Sequence, residues 1–484
     1  MTKLFWWVAA SSLCGTLGCA AGKPIAEKPA EGDLAAKLDA VVKDAFAKRE
    51  MPGGALVVVR GNRVIYSAGH GYADIATKRP YTDTSTTVIG STSKPLTALG
   101  VLRLVQLGKV ALDAPIARYL PDLRFRDPRG TAITVRHLLN NRSGIVAGFS
   151  GDAYADPPIQ DAGAVERIAR ESATYPLVFA PGQGYLYSNR GWLLLGYLIQ
   201  RVANEPVETF MRRVVFEPLG MTQTTLEFWK APGMVTGYEE GYQVRNRPRR
   251  PSLHRGYGPS GMTASTPADM GRLLMAMLNQ GKTALGTQFL TPELIAEAVR
   301  PQADAESELG GPTRYGLGWE VDSTFGSLTI KKAGSVGTMV TLWVMLPEQQ
   351  LGLAFAFNRE DYQVVPVVKS VLTVLAGGTA QPFPSSTWTP PARPTGVATR
   401  PGAAQRWLGT YDTHSGDTKI YRRGDSLFTD YEAGEAALVA ANDSSYWIVD
   451  DIVKHAGKSL DFRRQGKAIT LWSGKDSLGL RVTP

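Results

Sequence analysis

The spacing of hydrophobic and polar positions changes along the first hundred residues. In "GDLAAKLDAVVKDAFAKRE" apolar residues recur every three to four positions, which predicts an amphipathic first helix. These residues are Leu34, Leu38, Val41, Val42 and Phe46. "GALVVVRGNRVIYSAG" then forms two β-rich runs on either side of Gly61 and Asn62, which predicts a hairpin. A second helix is predicted after Ser91, where the chain runs into a long apolar stretch.

Three further β-rich runs lie near residue 340, far along the chain from the first hairpin. They read "SLTIKKAG", "MVTLWVML" and "LGLAFAFN". If they join the hairpin in one sheet, the two ends of the domain close around a largely helical middle. The pattern therefore predicts a mixed α/β (α+β) fold, in which an antiparallel sheet is flanked by helices and accompanied by a mainly helical subdomain.

Proline and small polar residues mark a boundary after this domain. The segment 377–402, "GGTAQPFPSSTWTPPARPTGVATRPG", is so rich in such residues that it predicts an extended linker. The last part, 403–484, contains short β-type runs such as "TKIYRR" and "AITLW" separated by turn residues, which predicts a small all-β domain. The main domain is expected to span 34–376.

The N-terminus has the layout of an export signal. A basic start at Lys3 precedes an apolar run of about fifteen residues and then small residues, and the run is too short to be a stable membrane span. Residues 1–19 are predicted to be this signal and 20–33 a tether. "TLGCAAG" resembles a bacterial lipobox, which implies lipidation of Cys19, although plain cleavage near Ala21 remains open. The predicted location is the periplasm or cell envelope.

Composition and charge narrow the class of protein. The 484 residues are 43% hydrophobic and 20% charged, which is typical of a globular protein of two domains. The net charge is +9, yet an exported protein is not expected to bind nucleic acid. Both cysteines lie in the signal region, the five histidines are scattered, and the sequence has no His-Glu-x-x-His motif or phosphate-binding glycine loop. No metal or cofactor is expected, and the oligomeric state is left open.

Ser91 and Lys94 begin the second predicted helix and carry the first candidate chemistry. A hydroxyl at a helix N-terminus lies in positive potential, and a lysine three residues on shares its face of the helix. A poorly solvated lysine accepts a proton more readily, so the pair fits an activated serine nucleophile. Taken alone, Ser-x-x-Lys fits an N-cap serine and a solvated lysine better.

Two more motifs change this balance. "GQGYLYSNRGW" contains Tyr187 and Asn189, and "LTIKKAGSVGT" contains Lys332 and Gly334 in a strand-like run. The ordered set Ser-x-x-Lys, Tyr-x-Asn, Lys-x-Gly resembles the serine β-lactamase and penicillin-binding protein superfamily, with its related esterases. Connecting segments such as "GPSGMTASTPADMGRLL" and "RYGLGWEVD" are also similar to that family. The β domain resembles a lipocalin-like module, most clearly at "WLGTYD".

The resemblance implies a role for each matched residue of the first two motifs. Ser91 would attack a carbonyl carbon and form an acyl-enzyme. Lys94 and Tyr187 would share the work of the general base. Asn189 would hold either the amide of the substrate or the lysine.

The third motif would complete the substrate site. Lys332 would add positive potential or bind a substrate carboxylate, next to Gly334. The backbone N–H groups of Ser91 and Ser335 would form the oxyanion hole. The sequence reads Lys-Ala-Gly where β-lactamases and penicillin-binding proteins usually carry Lys-Thr-Gly, so a hydroxyl that would help to hold a carboxylate is missing.

The resemblance implies an exported serine hydrolase that cleaves ester or amide bonds. An esterase or a D-Ala-D-Ala-type peptidase is expected first and a β-lactamase second. The substrate would be a small molecule or a peptide, including one derived from peptidoglycan. The alternative from another class is a non-catalytic module that binds envelope material or senses penicillin. An N-terminal lipid anchor would be the only link to a membrane.

Overall fold

The computed structural model describes most of the chain. The described residues are 31–147, 159–239, 246–249, 254–307, 309–360 and 364–384, followed by 403–413, 416–423, 426–429, 436–440, 442, 444–449, 459–465, 468–473 and 476–483. The predicted signal, with Cys19, lies outside the described residues, as does most of the predicted linker. In the part of the chain that the structure covers, no helix has both the length and the apolar character needed to cross a membrane.

Ten α-helices and thirteen strands form the large N-terminal part of the described chain. The helices are α1 Glu31–Arg49, α2 Ser93–Gln106, α3 Val135–Leu139, α4 Ala164–Ser172, α5 Asn189–Ala203, α6 Val207–Met211, α7 Glu217–Leu219, α8 Pro267–Leu278, α9 Pro292–Val299 and α10 Val364–Leu375. The strands are β1 Gly53–Arg60, β2 Arg63–Asp74, β3 Arg79–Pro80, β4 Thr87–Val88, β5 Gly237–Glu239, β6 Arg247–Arg249, β7 Ala264–Ser265, β8 Ala303–Glu306, β9 Pro312–Tyr315, β10 Glu320–Asp322, β11 Thr329–Ser335, β12 Val340–Leu346 and β13 Leu351–Phe357.

Nine of these strands form one antiparallel sheet in the order β3-β2-β1-β13-β12-β11-β10-β9-β8. Because successive side chains of a strand point to opposite faces, β1 supplies both layers of the core. Leu56 and Val58 pack with α1 and α10 on one face, whereas Val57 and Val59 join the helical core on the other. Burial on both faces explains why β1, β12 and β13 read as continuous apolar runs.

The structure confirms the predicted mixed fold with its large antiparallel sheet. The hairpin predicted around Gly61 is β1–β2, and the three late runs are β11, β12 and β13. The pairing of β1 with β13 joins the two ends of the domain, with Gly54 opposite Phe357. Helices α2 to α9 lie between these ends in sequence, as the mainly helical middle was expected to do.

Two predicted boundaries differ from the structure. The first helix begins at Glu31, three residues inside the segment predicted to be a tether. The predicted linker also begins later than expected, because Phe383 is buried against the α1 and α10 side of the sheet. Its backbone N–H donates a hydrogen bond to Asp44 Oδ2 at 2.8 Å. A single aromatic residue between two prolines therefore extends the packed region of the chain.

The C-terminal strands form a closed antiparallel barrel in which each strand pairs with the next and the last pairs with the first. They are β14 Gly409–Thr413, β15 Gly416–Arg423, β16 Ser426–Thr429, β17 Ala436–Ala440, β18 Ser445–Val449, β19 Ser459–Gln465, β20 Ala468–Ser473 and β21 Asp476–Thr483. Trp407 stacks on Phe462 inside it, with ring centroids 5.2 Å apart. The barrel agrees with the predicted all-β segment, whereas its likeness to a lipocalin stays a prediction.

Candidate active site

Ser91 lies in a short 3₁₀ turn, Gly90–Thr92, that leads directly into α2. Gly90 has φ +55°, a conformation that favours glycine and turns the chain from β4 into the helix. Pro95 falls within the first turn of α2, where its missing N–H breaks no helical hydrogen bond. The serine is therefore held, partly exposed, at the positive end of a 14-residue helix.

Lys94 is fully buried and lies one turn from the serine, as the sequence predicted. Its Nζ is 3.1 Å from Ser91 Oγ. The same nitrogen is 2.7 Å from Asn189 Oδ1 and 2.7 Å from the carbonyl oxygen of Ser260. A neutral amine has two N–H donors and one lone pair. In that form, donation to the amide oxygen and the carbonyl oxygen uses both hydrogens and leaves the lone pair for the serine hydroxyl.

The start of α5 positions the Tyr-x-Asn motif. Ser188 caps this helix by accepting a hydrogen bond from the N–H of Gly191 at 3.2 Å. Asn141 accepts two further bonds, from the backbone N–H of Ser188 at 3.3 Å and from Trp192 Nε1 at 3.1 Å. The segment that carries the tyrosine and the asparagine is therefore fixed on both sides of Ser188. Of the two roles expected for the asparagine, the structure contains the one in which it holds the lysine.

Tyr187 is half-buried between the two lysines of the motifs. Lys94 Nζ lies 4.7 Å from the centroid of its ring and Lys332 Nζ lies 5.0 Å from it. A protonated amine at the face of an aromatic ring is attracted by its quadrupole and raises the electrostatic potential at the phenol. The tyrosine predicted from sequence is thus in the same pocket as both lysines.

Strand β11 runs close beside the turn that carries Ser91. A Cβ built on Gly334 would lie 2.2 Å from the carbonyl oxygen of Ile89 and 2.7 Å from the backbone nitrogen of Ser91. A Cβ built on Gly90 would lie 2.3 Å from the backbone nitrogen of Ser335. Only glycine allows the two backbones this proximity, which brings the N–H groups of both serines to one narrow gap. This geometry suits an oxyanion hole.

Two adjacent lysines of β11 point to opposite faces of the sheet. Lys331 Nζ bonds Asp322 Oδ2 at 2.5 Å and Thr324 Oγ1 at 2.8 Å. Burial raises the pKa of Asp322, but hydrogen bonds led by that of Lys331 outweigh it and lower the pKa below its ordinary value. The next residue, Lys332, faces the pocket, where its Nζ is 3.6 Å from Glu320 Oε1. The period of the strand therefore makes only the second lysine part of the site.

Sequence reasoning missed three groups that complete the pocket. The carbonyl of Ser260 carries no sequence signal, because every residue has one. Glu320 lies in the family-like segment "RYGLGWEVD", is 2% exposed and pairs with the lysine of β11. Glu360 accepts a hydrogen bond from Ser335 Oγ at 2.8 Å, just outside the gap between the two backbones. Both carboxylates reach the site through strand pairing, which short motifs do not report.

The described part of the chain contains no group of three or more histidine, cysteine, aspartate or glutamate side chains suited to a metal ion. The chemistry of the pocket is instead that of a hydroxyl, two amines, a phenol and two backbone N–H groups.

Comparison with known proteins agrees with this constellation. A family model described as beta-lactamase matches residues 38–376, more than half of the chain. The chain belongs to the beta-lactamase family. The matched residues contain all of the candidate catalytic and substrate-binding groups described above.

Relatives of this beta-lactamase-family chain include esterases and penicillin-binding proteins. Esterase EstB from Burkholderia gladioli is 31% identical over 311 residues, which cover 59% of this chain and 79% of that protein. A penicillin-binding protein from Bacillus subtilis (strain 168) is 28% identical over 206 residues, covering 41% of this chain and 44% of that protein. These relatives and the family assign the chain to the β-lactamase-like hydrolases.

Solved structures share the fold. The octameric penicillin-binding protein homologue from Pyrococcus abyssi superimposes with a TM-score of 0.62 at 22% identity, covering 92% of this chain and 99% of that one. EstCE1, a hydrolase with promiscuous acyltransferase activity, gives a TM-score of 0.62 at 20% identity and covers 72% of this chain and 99% of that one.

Proposed function

We propose that this protein hydrolyses esters through an acyl-enzyme formed on Ser91. The observation that carries the proposal is the position of Lys94 Nζ, which is 3.1 Å from the serine hydroxyl and 2.7 Å from each of two acceptors, Asn189 Oδ1 and the carbonyl oxygen of Ser260. The lysine takes the hydroxyl proton as the oxygen attacks the carbonyl carbon of the substrate. The proton then passes to the leaving alkoxide or amine.

Three other groups assist this step in the proposal. The N–H groups of Ser91 and Ser335 donate to the developing oxyanion, which in related chemistry is worth a factor of about 10² to 10³ for each donor. Tyr187, whose ring faces the Nζ atoms of Lys94 and Lys332, relays the proton between Lys94 and the leaving group. Water then attacks the acyl carbon as the same base accepts its proton; the bond from that carbon to Ser91 Oγ breaks, the base returns the proton to Oγ, and the acid product leaves.

We rank ester bonds first because the similarity to esterase EstB extends over 79% of the length of that protein. A D-Ala-D-Ala-type peptidase uses the same acyl transfer with an amine as the leaving group. A β-lactamase is the second candidate, since Lys332 keeps a cation in the pocket. A module that binds envelope material without turnover is the alternative from another class.

The test is the hydrolysis of 4-nitrophenyl butyrate by the purified protein and by Ser91→Ala. We expect steady turnover in the parent and a loss of at least about 10³-fold in the variant, because the nucleophile is removed. Ser93→Ala is the matched control: this serine is two residues further on and its Oγ only accepts a bond from the N–H of Thr263 at 3.3 Å. Equal rates in the parent and Ser91→Ala would refute the acyl-enzyme.

We also propose that the protein is exported and lipidated at Cys19. The support is the N-terminal sequence alone, with its basic start, apolar run and lipobox-like segment. Expression with a radiolabelled fatty acid tests the proposal. Label and membrane association should both disappear in Cys19→Ser, whereas a labelled Cys19→Ser protein or an unlabelled parent would contradict lipidation.

A further inference from the structure

The hydroxyl of Ser335 is already occupied within the protein. It donates to Glu360 Oε1 at 2.8 Å and accepts a bond from the N–H of Gly337 at 2.9 Å. A serine hydroxyl has one hydrogen to donate, so this donor is committed to a carboxylate of the protein. The residue lies at the exposed end of β11, next to the gap that suits an oxyanion.

The other side chains of β11 near this gap offer little more to an anionic substrate. Ala333 has no polar atom. Lys332 is fully buried, and its Nζ is 3.6 Å from the equally buried Glu320. The three side chains of β11 described here, Lys332, Ala333 and Ser335, are therefore either apolar or engaged with an acidic side chain of the chain itself.

Glu360 also brings negative charge close to the reacting carbonyl. Three covalent bonds separate the backbone nitrogen of Ser335 from its Oγ, which limits that distance to about 4 Å. Adding the 2.8 Å hydrogen bond puts the carboxylate oxygen within about 7 Å of the N–H that would hold the oxyanion. A leaving-group carboxylate bound about 7 Å from this oxygen would be disfavoured by Coulomb repulsion by about 3-fold in water-like surroundings and about 50-fold at an effective dielectric of about 20.

We infer that the site is built for acyl substrates without a carboxylate beside the scissile bond, and that Glu360 is the residue that sets this preference. The inference rests on the proposed acyl transfer at Ser91 and narrows its substrate class. Uncharged esters are then the substrates, and lactams and peptides with a free carboxylate next to the cleaved bond are disfavoured.

Two matched substrate pairs test the inference with the full chain. The first pair is 4-nitrophenyl butyrate and the butyrate ester of 5-hydroxy-2-nitrobenzoate, which differ by one carboxylate on the leaving group. The second is a chromogenic cephalosporin as the free acid and as its methyl ester. The measured quantity is the ratio of kcat/KM for the neutral member to that for the anionic member. The oxyanion develops with both members, so its own interaction with the glutamate cancels in the ratio.

We expect Glu360→Gln to lower this ratio by about 3- to 50-fold. Glu348→Gln is the matched control, because this exposed glutamate follows the far end of β12 and lies roughly 20 Å away along the strand. The ratio should be unchanged there, since screening removes interactions over such distances. Because both substrates are measured on one protein sample, a fraction of misfolded protein does not alter the ratio.

The outcomes separate this inference from the proposed function. A ratio in Glu360→Gln within twofold of the parent value, with ester turnover intact and dependent on Ser91, would overturn the inference alone. An equal fall in Glu348→Gln would also overturn it, because the effect would then be one of net charge. Absence of Ser91-dependent ester turnover in the parent would overturn both.

Discussion

Substitution of Gly334 by alanine tests how closely β11 packs against the turn Gly90–Thr92, which carries Ser91. The added Cβ would lie 2.2 Å from the carbonyl oxygen of Ile89 and 2.7 Å from the backbone nitrogens of Ser91 and Thr92. Ordinary contact begins near 3.4 Å, so the two backbones must separate by about 1.2 Å. The turn cannot yield easily, because the carbonyl of Ile89 also accepts a 2.7 Å bond from the hydroxyl of Thr341.

A separation of this size widens the gap between the N–H groups of the two serines. Misplacement of reacting groups by about 1 Å costs about 10²-fold, and loss of one oxyanion donor costs about 10²- to 10³-fold. We therefore expect kcat for 4-nitrophenyl butyrate to fall by at least about 10²-fold in Gly334→Ala. Stopped-flow measurement of acylation, together with circular dichroism to verify the fold, provides the assay.

Gly261→Ala is the matched control for this experiment. Its Cβ would meet only the backbone of Gly90, at 3.7 Å, so the same methyl group is added beside the same turn without a clash. This variant should keep a rate close to that of the parent. If Gly334→Ala also kept more than a tenth of the parent rate, the backbones would not form a tight oxyanion site, and the reasoning would be refuted.

Three further predictions follow from the described contacts. Lys94→Met should lower ester kcat/KM by about 10²- to 10⁴-fold at unchanged fold, as expected for loss of a general base, and a loss below tenfold would contradict that role. Phe383→Ala should lower the free energy of unfolding by about 3 kcal/mol in denaturant titrations but leave ester kinetics unchanged. Burial lowers the pKa of His70, partly opposed by the charge of Asp39, so the unfolded chain binds its proton first as the pH falls below about 6.5. The free energy of unfolding therefore decreases on acidification. Between pH 7.5 and 5, Tm should fall less steeply in His70→Gln than in the parent. Parallel plots of Tm against pH for the two proteins would count against this reasoning.

The fold was largely predictable because local periodicity is strong in this chain. The helical face shared by Ser91 and Lys94 follows from their three-residue spacing, and the two-residue period of β11 aligns Lys332 with Gly334. That these elements lie side by side could be predicted only from the family resemblance, because the spacing of residues within one segment does not give its distance from another segment.

Other parts of the site depend on long-range contacts. The contact of Lys332 with Glu320 joins two neighbouring strands, β11 and β10, and spacing within one motif does not report it. The bond between Ser335 and Glu360 joins residues 25 positions apart after two intervening strands. Phe383 was assigned to a linker because its neighbours are typical of one, and only its packing reveals otherwise.

The pairing of β1 with β13 has a consequence for the order in which the protein can be assembled. Gly54 meets Phe357 across about 300 residues of chain. At a synthesis rate of about 5 to 20 residues per second, the first strand waits about 15 to 60 s before its partner exists. During that interval β2 is the only one of the two sheet neighbours of β1 that has been made, and for most of it β11 has not been made either. The nascent chain therefore carries Ser91 for tens of seconds before β11 can pack beside it, and the proposed acyl transfer would become possible only once nearly the whole domain has been synthesised.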